Sequence, residues 1–109
     1  VLLTRVVSRP RSDRVTFDLG TKAIAADPPA GRRGLIVGME DATTVLHNEE
    51  HWVVSSATAG HYKIGDPVLV VPEHVCPNAN LYPLIYVLDG DCRVAERWEV
   101  AARQRPLFL

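Results

Sequence analysis

"RVTFDL", residues 14 to 19, sets apolar Val15, Phe17 and Leu19 against Arg14, Thr16 and Asp18 in strict alternation. Successive side chains of an extended chain point to opposite faces, so this spacing predicts a strand with one buried face and one wet face. The same period, or short runs rich in Val, Ile, Thr and aromatic residues, recurs in "LLTRVVS", "GLIVGM", "TTVLH", "WVVSSA", "DPVLVV", "LIYVL" and "CRVAERWEV". Turn-forming clusters separate these runs: "DPPAGRRG", "HNEE", "KIGD" and "LDGD". Asp89-Gly90-Asp91 reads as a hairpin connection in which Gly90 takes the positive φ. Only "TKAIAA" has much helical propensity, and the "DPP" behind it limits it to a turn or two. The expected fold is all-β, a small β-barrel or barrel-like sandwich of seven to eight short strands.

A chain of 109 residues, 47% hydrophobic and 23% charged, suits one domain over residues 1–109 with its own apolar core. A net charge of −1 without basic clusters argues against a nucleic-acid partner, because neutralising phosphates takes concentrated Lys and Arg. No apolar run approaches the ~18 residues of a helical membrane span. The start "VLLTRVVSRPRS" lacks the order of a secretory signal, so the cytoplasm is the expected location, and the missing initiator methionine suggests an excerpt. Cys76 and Cys92 give no disulfide framework. In a reducing compartment each thiol needs its own explanation as packing, ligand or nucleophile.

The richest motif is "VPEHVC", residues 71 to 76. If it stays extended, His74 and Cys76 project from one face about 6.5 to 7 Å apart along the backbone, and both can reach one ion. Imidazole with thiolate favours zinc over harder cations. On spacing alone, a packed thiol beside a hydrogen-bonded histidine remains the better reading. "HNEEH", residues 47 to 51, fits a zinc-peptidase pattern that needs a helix, but its β-branched flanks leave no room for one. His47, Glu49 and Glu50 are therefore assigned to a strand connection. Lys22 reads as a charge partner for Asp18 or Asp27, Lys63 as a solvated turn residue, and Arg32 and Arg33 as solvated loop residues. Trp52 and Trp98 read as core or cleft-wall residues. No glycine-rich phosphate loop and no G-x-S-x-G motif is present.

The ordered series "SRP…RVTFDLGTKAIAAD", "NEEHW", "GDPVLVVPEHVCPNANLY" and "GDCRVAERWEVAARQR" resembles the C-terminal domain of the D-serine dehydratase and D-threonine aldolase family. These are pyridoxal phosphate enzymes of the alanine racemase fold group. The resemblance implies a β-barrel domain following an N-terminal (β/α)8 barrel that holds the pyridoxal phosphate. It puts His74 and Cys76 on the family's metal-ligand positions and reverses the preference drawn from spacing. Cysteine rather than aspartate at the second position tilts the choice toward zinc and dehydratase-like chemistry. It further implies His51 as a proton shuttle or orienting residue, and Asp18 and Lys22 as architectural. Trp52 stands where the family would carry glycine.

The implied function is that of the metal-bearing C-terminal domain of a pyridoxal phosphate-dependent lyase acting on β-hydroxy D-amino acids such as D-serine or D-threonine, assembled as a homodimer. The (β/α)8 barrel takes about 250 residues, so the 109-residue chain alone is expected to be inactive. Its face carrying His74, Cys76 and His51 is expected to be an open apolar patch that promotes dimerisation. The alternative is a stand-alone, non-catalytic β-barrel binding module.

Overall fold

Val15 and Phe17, the apolar half of "RVTFDL", are fully buried, and Arg14 and Thr16 are only partly covered, as the alternation requires. The computed structural model describes residues 1–103. Six strands, β1 (Leu2–Arg11), β2 (Arg14–Phe17), β3 (Gly34–Ile36), β4 (Thr43–His47), β5 (Trp52–Ser55) and β6 (Pro67–Pro72), form one antiparallel sheet in the order β3-β6-β1-β2-β5-β4. A hairpin of β7 (Leu84–Leu88) and β8 (Val94–Glu99) forms a second sheet. The all-β, barrel-like expectation holds.

The long strand β1 makes the sheet wrap. Residues Leu2 to Arg5 pair with β6, residues Val6 to Arg11 pair with β2, and two register shifts interrupt the second pairing. Such irregularities bend a strand and increase its twist, so the two halves of the sheet close over one core. That core includes Phe17, Ile24, Ile36, Met39, Trp52 and Val70. Asp18 fastens the bend, accepting hydrogen bonds from the Thr4 hydroxyl at 2.6 Å and the Arg5 amide at 2.8 Å. Its role is architectural.

After β2 the chain runs back across the β4–β5 turn, where the Thr21 amide donates to Asn48 O and the Lys22 amide to Glu49 O. Gly20 permits this approach, since a Cβ there would meet the Glu49 carbonyl oxygen at 2.2 Å. "TKAIAA" contributes a single turn, closed by the Ile24 amide on Gly20 O. Lys22 pairs with Glu50, not with Asp18 or Asp27, because that backbone registration carries it to the turn. Arg32 is exposed and pairs with Glu73 at 2.9 Å.

Two local expectations change. The "VCPNANL" segment, outside the one stretch credited with helical propensity, forms helix α1 (Val75–Leu81). Pro77 is tolerated in its first turn, where the missing amide would have no intrahelical partner. In the β7–β8 connection Cys92, not Gly90, takes the positive φ, 61°. Asp89 Oδ1 accepts from the amides of Asp91 and Arg93, and this turn moves the left-handed residue to the end of the loop.

His47 lies in β4, not in a helix, so the peptidase geometry is absent as expected. Its ring stacks on Trp52 with centroids 4.9 Å apart, while Trp52 donates to the Thr44 hydroxyl. Burial is the main cause that holds the His47 pKa below its ordinary value, and the Leu19 carbonyl facing Nε2 opposes it. Protonation is thus easier in the unfolded chain. Stability should be full above the unfolded histidine value of about 6.5 and fall as pH drops below it. Thermal melts between pH 7.5 and 5.5 check this: the decline should be shallower in His47→Gln than in the parent.

Among the described residues no helix is long and apolar enough to cross a membrane.

Candidate functional site

Strand β6 ends at Pro72, and the chain turns at once into α1, with His74 as the extended N-cap residue (φ −124°, ψ 103°) and Cys76 in the first helical turn. The strand geometry that would align their side chains on one face is therefore not what is found. Their Cα atoms still cannot lie more than about 7 Å apart, because only one residue separates them. Both side chains are exposed, and Cys76 is a free thiol.

His74 does not cap the helix with its side chain. Its Nδ1 instead faces Asp27 Oδ2 at 2.5 Å. A carboxylate there can only accept, so Nδ1 is the donor, and a neutral ring in this contact would hold its lone pair on Nε2. Asn78, 3% exposed, secures the backbone of the same residue. Its Nδ2 donates to His74 O while its Oδ1 accepts from the Ala25 amide at 3.0 Å. Tyr82, at the end of α1, donates to Ala23 O at 2.7 Å. Burial raises the Tyr82 pKa, with Asp18 adding to the effect, so the phenol remains a donor. The segment 23–27 is thus tied to α1 at three of its residues.

His51 closes the β4–β5 turn, where its amide donates to Asn48 Oδ1 and its carbonyl accepts from the Asn48 amide, both at 3.0 Å. Its ring is exposed, and no hydrogen bond joins it to His74 or Cys76. What links the two places is the segment from Gly20 to Asp27, bonded to the turn at one end and to His74 at the other.

One imidazole nitrogen and one thiol form a donor set suited to zinc. Among the described residues no group of three or more His, Cys, Asp or Glu that could hold a metal ion is found. The two donor types fit zinc. The bonds of Asp27 to His74 and of Asn78 to Ala25 span 47 and 53 positions and leave no local signature in the sequence, where Asp27 reads only as a candidate partner for Lys22.

The open apolar surface is placed differently from the expectation. A groove of about 670 Å³ lies between the outer face of β1 and β6 (Leu3, Leu69) and the hairpin (Tyr86, Leu88, Val94), with Val75 of α1 on its wall. His51 does not line it. The groove runs along α1, lined by Val75, Asn78, Ala79 and Tyr82, and neither His74 nor Cys76 lines it. Alternation of apolar residues on both faces of β6 produces it, because Val68 and Val70 fill the core while Leu69 and Val71 stay exposed.

The profile of the putative serine dehydratase domain family matches residues 1–88. A D-threonine aldolase of Arthrobacter sp is 37% identical over 106 residues, which cover 94% of this chain and 26% of the aldolase. An uncharacterized protein of Mycobacterium tuberculosis (strain ATCC 25618 / H37Rv) is 33% identical over 93 residues, 83% of this chain and 69% of that protein. The solved structure of a D-threo-3-hydroxyaspartate dehydratase variant, a cysteine-to-alanine substitution in the metal-free form, superposes with a TM-score of 0.74 at 20% identity, over 89% of this chain and 30% of that one. A second solved variant of a dehydratase of that name replaces a histidine two positions earlier. The chain thus spans about a quarter of the length of the aldolase it matches.

Proposed function

Because the chain belongs to the putative serine dehydratase domain family, we propose that it is the metal-bearing C-terminal domain of a pyridoxal phosphate-dependent lyase acting on β-hydroxy D-amino acids such as D-serine or D-threonine. The observation that carries this reading is His74, held by Asp27 with Nε2 free, one residue from the exposed thiol of Cys76. The histidine and cysteine changed in the dehydratase variants have the same spacing, and the cysteine variant is described in a metal-free form. His74 and Cys76 would hold the zinc, whose chemistry there would be Lewis-acid polarisation of a substrate hydroxyl. His51, exposed on its turn, is the candidate to move a proton at a ring nitrogen. The pyridoxal phosphate belongs to a (β/α)8 barrel, which this chain is too short to contain.

The test is metal content. After loading and desalting, the parent chain should retain zinc, and His74→Ala and Cys76→Ser should each lose most of it while keeping the parent's circular dichroism. Retention unaffected by either change removes the site. The apolar groove is the surface we assign to the barrel and, in its absence, to self-association. Sedimentation should show concentration-dependent dimers of the parent and fewer of Leu69→Arg; a strict monomer at high concentration would refute the association.

The mycobacterial relative favours a second reading. The 93 matched residues make up 69% of it, which leaves no room for a barrel of about 250 residues. A stand-alone binding module would account for that length. The two readings separate on whether the natural reading frame continues upstream through a barrel with a lysine suited to the cofactor.

A further inference from the structure

We infer that Asp27 is the positioning residue of the candidate metal centre, its carboxylate fixing His74 in the tautomer that presents Nε2 to the ion. The inference rests on the metal reading above and adds to it the group that makes His74 a competent ligand.

Three observations converge. The first is the contact itself: Asp27 Oδ2 lies 2.5 Å from Nδ1, and a carboxylate acceptor there leaves the lone pair on the other nitrogen. Metal-ligating histidines characteristically donate their second ring N–H to such a partner, which fixes both tautomer and ring direction. The second is the rigidity of the mount. Asp27 precedes Pro28 and Pro29, so its own backbone is confined to extended conformations and the residues after it have fixed φ. The third is Asn78, which is buried and bonded at both ends of its amide, and ties the His74 carbonyl to Ala25, two residues before Asp27. Ring and backbone of His74 are therefore both referenced to residues 25–27.

A purely structural role explains this poorly. Both side chains of the pair are about half exposed, 48% and 51%, and exposed ion pairs contribute little to stability. His74 makes no side-chain bond to the helix amides, and its ring meets Asp27 instead. Orientation of the imidazole is what the arrangement achieves.

The experiment has two readouts on the 109-residue chain: ¹⁵N imidazole chemical shifts of His74 in the metal-free protein, and zinc affinity by competition with a chromophoric chelator. The parent should show protonated Nδ1 and bare Nε2. Asp27→Ala and Asp27→Asn should both lose that tautomer bias, the second because its amide can donate to Nδ1, and zinc should bind ~10–100-fold more weakly. Asp27→Glu should recover part of both. Amide spectra like the parent's establish folding, and if the alanine variant misfolds, the isosteric asparagine variant decides. Unchanged tautomer and unchanged affinity in Asp27→Asn overturn the role of Asp27 while leaving the metal site standing. A parent that shows the tautomer but binds no zinc overturns the metal reading, and the positioning role with it.

Discussion

Phe17→Ala should cost about 3–5 kcal/mol of folding stability, the range for removing a fully buried phenylalanine when the surroundings relax only in part. Phe17 is 0% exposed and lies in β2, paired opposite Val6 on one side and Trp52 on the other. Both neighbours belong to the same buried cluster. The cavity would thus open at the junction between the two halves of the sheet, where β1 changes partners. For a domain of this size each kcal/mol lowers the midpoint by roughly 4–8 °C, so a loss well above 10 °C is expected in a circular dichroism melt. A drop of only a few degrees would mean that the two halves do not share one core.

Gly20→Val is expected to be nearly as damaging to the fold and more damaging to the site. A Cβ at Gly20 falls 2.2 Å from Glu49 O and 2.4 Å from Glu50 N, which are backbone atoms that cannot swing aside. The segment must lift off the β4–β5 turn, losing the bonds from the Thr21 and Lys22 amides and the Lys22–Glu50 pair. Backbone displacement at buried contacts places the loss at roughly 2–4 kcal/mol. Since the same segment carries Asp27 to His74, zinc affinity should fall together with stability. Tight zinc binding in a Gly20→Val chain of parental stability would show that Asp27 is held independently of the turn.

The candidate site was legible only in part. His74 and Cys76 stand out because two potential ligands two positions apart are visible in any reading, and the resemblance of the surrounding motifs raised them above a chance pair. Their surroundings were not legible. "VCPNANL" contains a proline and two asparagines, poor helix formers by intrinsic preference, and it becomes helical because Asn78 and Tyr82 bond to the segment 23–25. Lys22 stands four positions after Asp18 and five before Asp27, the two partners its sequence neighbourhood offers, and the registration of residues 20–22 on the turn selects Glu50 instead.

The sequence by itself determined the strands and the positions of their connections, because the period of two and the turn residues are local properties of the chain. The eight strands among the described residues fall within the runs that show those signals or directly extend them. The tertiary structure alone decided which face of β6 is core and which is groove, for "PVLVVP" is apolar on both sides and only its register with β1 and β3 distinguishes them. It also decided which side chain meets His74 Nδ1, because the Asp27 carboxylate arrives from 47 residues away. Hydrogen-bond partners so distant in sequence are chosen by packing, and packing exists only once the chain has closed.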